Sequence, residues 1–256
     1  MSISLNFKEL GEGKPLIVLH GLFGSLDNWS SLGRQWAEYN RVFLVDLRNH
    51  GKSPHTADHN YPAMANDIVD FIDQHQLSDV TLLGHSMGGK VVMETALQRP
   101  DLVAQLIVAD MSPRPFPRGH DDIFEAMNAL DFSSITSRKE IETVLMEKLQ
   151  DIGVVLFLSK NIKRSSNGFE WKFNKSVLED SYENVLMPVQ SSGIFDKPTL
   201  FLKGENSNYI RSEDRESIVQ LFPQAQIKTI FNAGHWLHAD NPKQFFDEVS
   251  LFIGTT

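Results

Sequence analysis

The chain has no cysteine among its 256 residues. That excludes disulfides, a thiolate nucleophile and cysteine-ligated metals, and makes a reducing compartment the expected setting. Long apolar runs are missing too: no stretch is long enough to cross a bilayer, and the N-terminal M-S-I-S-L-N-F-K-E-L puts no basic flank ahead of an apolar core. A cytoplasmic protein without a leader is expected. Basic charge is scarce, with 24 Lys and Arg against 33 Asp and Glu and a formal net charge of −9. This balance disfavours nucleic acid or an anionic membrane surface as a main partner. It leaves a small-molecule substrate open, because pocket charge can oppose net charge. The histidines are scattered and form no ligand-spaced cluster, so no metal site is expected. There is no internal repeat or low-complexity segment, and the length fits one α/β domain with room for an insertion.

What is present centres on Val80 to Gly89, V-T-L-L-G-H-S-M-G-G. Strand-forming residues run into Gly-X-Ser-X-Gly and a helical pattern follows at once, which is the context of a nucleophile elbow. Gly84 and Gly88 are needed because the turn at Ser86 is tight and a Cβ on either side would clash. The turn presents the Ser86 hydroxyl to a cleft and aims the N–H of Met87 at the position of a developing oxyanion.

Around this stretch, short apolar runs alternate with helical patterns. Leu5 to Leu10 reads as an edge strand. Leu16 to Leu19, Val42 to Val45, Leu106 to Ala109 and Pro198 to Leu202 read as strands buried on both faces of a parallel sheet. Asp27 to Tyr39 is expected to be one helix with Trp29, Leu32 and Trp36 on its core face, and Pro62 opens another with Met64, Ile68, Phe71 and Ile72. A helix from Ser212 to Leu221, a strand from Ile227 to Phe231, and a final helix capped by Asn241-Pro242 complete the pattern. Such alternation places function at the carboxyl ends of the strands. There, His20-Gly21-Leu22-Phe23-Gly24 can supply a second oxyanion donor from the N–H of Leu22, with Phe23 the rival. His20 and His50 read as loop-holding residues, and Asp46 and Arg48 as an ion pair or loop clamp.

Between Ser112 and Asp196 the alternation stops. Helices are expected over Asp121–Leu130, Lys139–Leu149, Gly153–Ile162 and Lys175–Tyr182, with a strand over Phe169–Phe173 and a turn over Lys163–Gly168. A block of this length is no simple crossover. It reads as a mainly helical cap over 112–196, inserted into a core formed by 1–111 and 197–256. Phe116, Phe124, Met127, Leu156, Phe157 and Trp171 are its candidate walls, or else its own small core.

A serine hydroxyl needs a base and an orienting carboxylate, in the chain order Ser, acid, His. His235, in a glycine-bearing loop after the last strand, fits the base better than His238, which lies beside a helix cap. The candidate acids are Glu205, in the loop after Leu202 that reads G-E-N-S-N, and Asp110. Glu205 follows Gly204 too early to face the ring, whereas Asp110 ends the strand beside the elbow strand.

The motifs H-G-L-F-G, D-L-R-N-H-G-K-S, G-H-S-M-G-G and G-H-W-x-H resemble the α/β-hydrolase superfamily over nearly the whole chain. The wording L-F-G-S-L-D-N-W, R-N-H-G and G-H-S-M-G-G-K is most similar to small capped carboxylesterases of the YbfF type. The resemblance implies an α/β-hydrolase fold, a mostly parallel sheet covered on both faces, with the cap inserted after Asp110. It implies a Ser86–His235–Asp110 esterase with Ser207 as accessory partner of the acid–histidine pair, acting on short-acyl esters and acyl thioesters without a cofactor. Carbon–carbon bond hydrolysis, a lyase-type reaction and non-catalytic ligand binding are the rival readings on the same fold. Ser86 argues against dehalogenase and epoxide-hydrolase chemistry, which use an aspartate nucleophile.

Overall fold

The structure, a computed structural model, describes residues 3–166 and 168–254. Met1 and Ser2 of the N-terminal stretch and Asn167 of the expected turn lie outside the described residues. Nine strands follow in chain order among the described residues: β1 (Phe7–Leu10), β2 (Lys14–Leu19), β3 (Asn40–Val45), β4 (Val80–His85), β5 (Val103–Ala109), β6 (Ile162–Ser165), β7 (Gly168–Trp171), β8 (Thr199–Gly204) and β9 (Ala225–Ile230). Seven form one sheet in the order β1-β3-β2-β4-β5-β8-β9, antiparallel only where edge strand β1 meets β3. Strand order reverses between β2 and β4, so the loops after these strands diverge and leave a crevice at their carboxyl ends.

The central strands are apolar on both faces because both are covered. Ile17, Leu19, Phe43, Val45, Leu82, Leu106 and Val108 pack on one side with helices Tyr61–Gln74 and Met87–Gln98. Their neighbours Leu16, Val18, Val42, Leu44, Leu83 and Ile107 pack on the other with Trp36, Phe245 and Val249 from helices Ser30–Trp36 and Pro242–Ile253. Side chains alternate along a strand, so one continuous apolar run feeds two cores. Asn60 caps the first of these helices by accepting from Ala63 N at 3.0 Å, and Asn241 caps the last by accepting from Gln244 N at 3.2 Å.

Several local expectations change. Asp27 to Tyr39 is a 3₁₀ turn over Leu26–Trp29 followed by a helix over Ser30–Trp36, and the helix after Arg211 begins at Asp214. Asp46 and Arg48 do not pair with each other. Arg48 reaches Asp67 on the Tyr61–Gln74 helix, at 2.7 and 2.8 Å, while Asp46 accepts the backbone N–H groups of Leu26 and Lys52 at 2.7 and 2.9 Å. Each residue thus clamps a loop separately. Near neighbours in sequence gave way to partners whose geometry is better.

Between β5 and β8 the described residues form five helices, Asp121–Asn128, Arg138–Leu149, Ile152–Lys160, Lys175–Asp180 and Tyr182–Leu186, and the antiparallel hairpin β6–β7. The expected turn over Lys163–Gly168 begins on β6, where Lys163 and Arg164 are exposed, and ends at Gly168, the first residue of β7, while the expected strand over Phe169–Phe173 is β7 itself, over Gly168–Trp171. Phe124, Met127, Leu145, Leu158, Phe169 and Leu178 make a core of their own, sealed by Phe23 from the loop after β2. No helix among the described residues is long and apolar enough to cross a membrane.

Candidate active site

The turn after β4 holds Ser86 at φ 54° and ψ −119°, a conformation that side chains avoid unless the surroundings enforce it. Two close approaches do so. A Cβ on Gly84 would sit 2.1 Å from the carbonyl oxygen of Gly88, and one on Gly88 would sit 2.5 Å from that of His20. Helix Met87–Gln98 starts at the next residue, with the N–H of Lys90 donating to Ser86 O at 3.2 Å.

The sheet ladder continues past the strand ends: Ser86 N donates to Ala109 O at 3.1 Å, and Asp110 N to Leu202 O at 2.7 Å. Ser86 and Asp110 are therefore fixed by backbone to adjacent strands. Asp110 also has a positive φ, 49°, and is fully buried. Its carboxylate accepts from Gly204 N at 3.0 Å, from Ser207 Oγ, and from the His235 ring at 2.8 Å. A buried charge is tolerable when its lone pairs are used in this way.

His235 connects the two. An ionised carboxylate only accepts, so Nδ1 carries the hydrogen towards Asp110 and Nε2 is left to face Ser86 Oγ at 2.9 Å. The backbone of His235 is pinned by His85, whose Nε2 donates to the His235 carbonyl at 2.8 Å; burial pushes the His85 ring well below the usual imidazole range. A base, its orienting carboxylate and a strained hydroxyl in this order are the parts of acyl transfer.

The remaining candidates separate cleanly. Glu205 turns away and accepts from Asn232 N at 2.8 Å. His238 stacks on Trp29 with ring centroids 4.4 Å apart, and burial pushes it down to about 3. His20 donates from Nδ1 to Gly21 O at 2.8 Å and accepts Leu47 N at 3.1 Å. His50 donates from Nδ1 to Arg48 O at 2.9 Å and accepts Phe23 N at 3.2 Å. Burial lowers both rings, which hold loops as uncharged groups. The N–H of Phe23 is thereby spent on His50.

Above Ser86 lies a cavity of about 880 Å³. The core contributes Leu22, Met87 and His235 to its walls, and the inserted segment contributes Phe116, Leu156, Phe157, Tyr182 and Leu186. Phe124, Met127 and Trp171 pack instead within or against the segment's own core. Sequence reasoning missed His85 and Tyr209. Tyr209 lies flat against His235, with ring centroids 3.7 Å apart and planes 15° from parallel, and burial raises its hydroxyl pKa. His85 stood in view inside the Gly-X-Ser-X-Gly motif, whereas nothing in the spacing of Tyr209 announces a ring contact.

A family described as the alpha/beta hydrolase fold matches residues 14–242. The chain belongs to this family. Esterase YbfF of Escherichia coli (strain K12) is 39% identical over 240 residues, covering 93% of this chain and 92% of that protein. The sn-1-specific diacylglycerol lipase ABHD11 of Mus musculus is 39% identical over 262 residues, covering 99% and 85%. Among solved structures, a marine microorganism esterase superposes with a TM-score of 0.95 at 41% identity, covering 98% of this chain and all of that one. In this α/β-hydrolase the seven-stranded sheet is the family's scaffold, and the strand ends are where its members differ in chemistry.

Proposed function

We propose that this α/β-hydrolase is a serine carboxylesterase that cleaves short-acyl esters, and acyl thioesters as further substrates, through an acyl-enzyme. The observation that carries the reading is the continuous chain from Ser86 Oγ to His235 Nε2 at 2.9 Å and from His235 Nδ1 to Asp110 Oδ2 at 2.8 Å. The esterase and lipase names of its relatives support it. Ser86 attacks the acyl carbonyl while His235 takes its proton, and Asp110 orients the ring and stabilises the imidazolium. Ser207 supports the acid by donating to it. The oxyanion accepts from the N–H of Met87 and of Leu22. Leu22 is preferred over Phe23 because the Phe23 N–H already serves His50. His235 then gives its proton to the departing alkoxide or thiolate, takes one from the water that attacks the acyl-enzyme, and returns it to Ser86 Oγ as the acid leaves. The segment 112–196 acts as the cap that walls the cavity, with 1–111 and 197–256 as the catalytic core.

Initial rates on p-nitrophenyl esters from acetyl to palmitoyl test this. The wild type should peak at short chains, and Ser86→Ala and Asp110→Asn should lose roughly 10³-fold or more, while Ser207→Ala loses about tenfold. Retained activity in Ser86→Ala would remove the nucleophile assignment. A maximum at palmitoyl would move the substrate class towards long-chain lipids.

A further inference from the structure

We propose that Tyr209 is a positioning residue for His235, and that Phe116 carries the seating of the inserted segment to the imidazole through the same stack of rings. This rests on the reading of Ser86 as nucleophile and His235 as base. A single hydrogen bond at Nδ1 holds one edge of an imidazole but leaves the ring free to rock about that bond, because the terminal torsion of a histidine is broad. A flat ring laid 3.7 Å away and 15° from parallel stops the rocking and keeps Nε2 on Ser86 Oγ. Its face also attracts the positive charge that the imidazole acquires as the hydroxyl loses its proton.

Tyr209 is itself well held. Its N–H donates to Ser207 Oγ at 3.2 Å, so the loop that supports Asp110 also aims the tyrosine ring. Phe116, from the inserted segment, stacks on Tyr209 with centroids 5.2 Å apart and planes 28° from parallel. Arg114 lies over Phe116 at 4.0 Å, bonds Asp214 at 2.9 Å and donates to Asn208 O at 3.3 Å, tying the start of the inserted segment to the loop carrying Tyr209. Displacement of Phe116 would thus loosen the ring that steadies the base.

Tyr209 also lines the cavity, so the test must separate positioning from wall contact. The kcat of Tyr209→Phe, Tyr209→Leu, Phe116→Leu and Ser86→Ala is measured on p-nitrophenyl acetate, butyrate and octanoate. Tyr209→Leu should fall about tenfold by the same factor on all three esters, and Tyr209→Phe should stay within about twofold of the parent. Phe116→Leu should fall about threefold, again uniformly, and carries the test if Tyr209→Leu does not fold. Equal losses in the Phe and Leu variants would assign the effect to the hydroxyl and overturn the proposal. So would a loss that grows with acyl length, or no loss in Phe116→Leu. Activity surviving in Ser86→Ala would instead overturn the reading of the site on which the proposal rests.

Discussion

The sheet and the segment inserted between β5 and β8 hold their residues in place by different means. At the strand ends, Ser86 and Asp110 are fixed by ladder hydrogen bonds and by glycines that admit no Cβ. In the inserted segment, position comes from a side-chain core of its own and from polar ties to the two helices that cover one face of the sheet: Tyr61 Oη to Val185 O at 2.6 Å, Gln190 N to the Glu94 carboxylate at 2.8 Å, and Lys90 to Met187 O. Backbone constraint fixes Ser86 and Asp110 through the main chain itself. Apolar packing gives a wall whose shape varies with its side chains at little cost to the scaffold.

The largest expected effect comes from breaking the backbone constraint. Gly84→Ala would drive a methyl group to 2.1 Å from a main-chain oxygen that has nowhere to move. It should lose more than about 3 kcal/mol of stability and nearly all esterase activity, read as the urea midpoint and the initial rate. Persistent activity would mean that the elbow tolerates a backbone shift.

Next in size is damage to the other region. Phe124 packs edge-on against Phe23 at 5.4 Å and Tyr182 at 5.1 Å. Phe124→Ala should cost about 3 kcal/mol. Amide hydrogen exchange should accelerate through residues 121–186 while the amides of β4 and β5 keep their protection. If both sets accelerate together, the two regions unfold as one unit and the contrast between them fails.

Legibility in the sequence followed the same division. Wherever backbone geometry dictates residue type, the type betrays the geometry: Gly84 and Gly88 mark the elbow, and buried runs mark the strands. Asp110 was accessible to reasoning because it ends the strand beside the elbow strand, and because the family resemblance implies an acid at that place. Contacts made between side chains from distant loops left no such trace. Arg48 was read with Asp46, two residues away, but its partner is Asp67 on a helix face, and the sequence does not encode which way a guanidinium turns. Of the hairpin β6–β7 the second strand was legible from its aromatic residues, whereas β6, with exposed Lys163 and Arg164, was read as a turn, since a strand only half covered by a small core carries a weak alternation. Tyr209 on His235 depends on the path of the nine-residue loop over 205–213, which no periodicity describes.

The smallest effect sharpens the comparison at the seam between the regions. Lys90, one turn after Ser86, is fully buried, with Nζ 5.3 Å from the Tyr61 ring and 4.8 Å from the Phe116 ring. Burial pushes its pKa down to about 7, and the Arg114 guanidinium adds to the shift. In the unfolded chain the same group stays protonated up to about pH 10.4. Between these values the unfolded state holds a proton that the folded state releases, so stability due to this residue rises with pH across the window and is flat below about 7. Lys90→Met lacks the term. Its stability relative to the parent should therefore be greatest at pH 6 and fall by on the order of 2 kcal/mol by pH 8.5, measured from urea midpoints at the two values. An unchanged difference would mean that Met187 O and the two rings keep the ammonium charged throughout, making the seam a fixed tie. A falling difference would make it a tie loosest in acid, where the buried charge costs most.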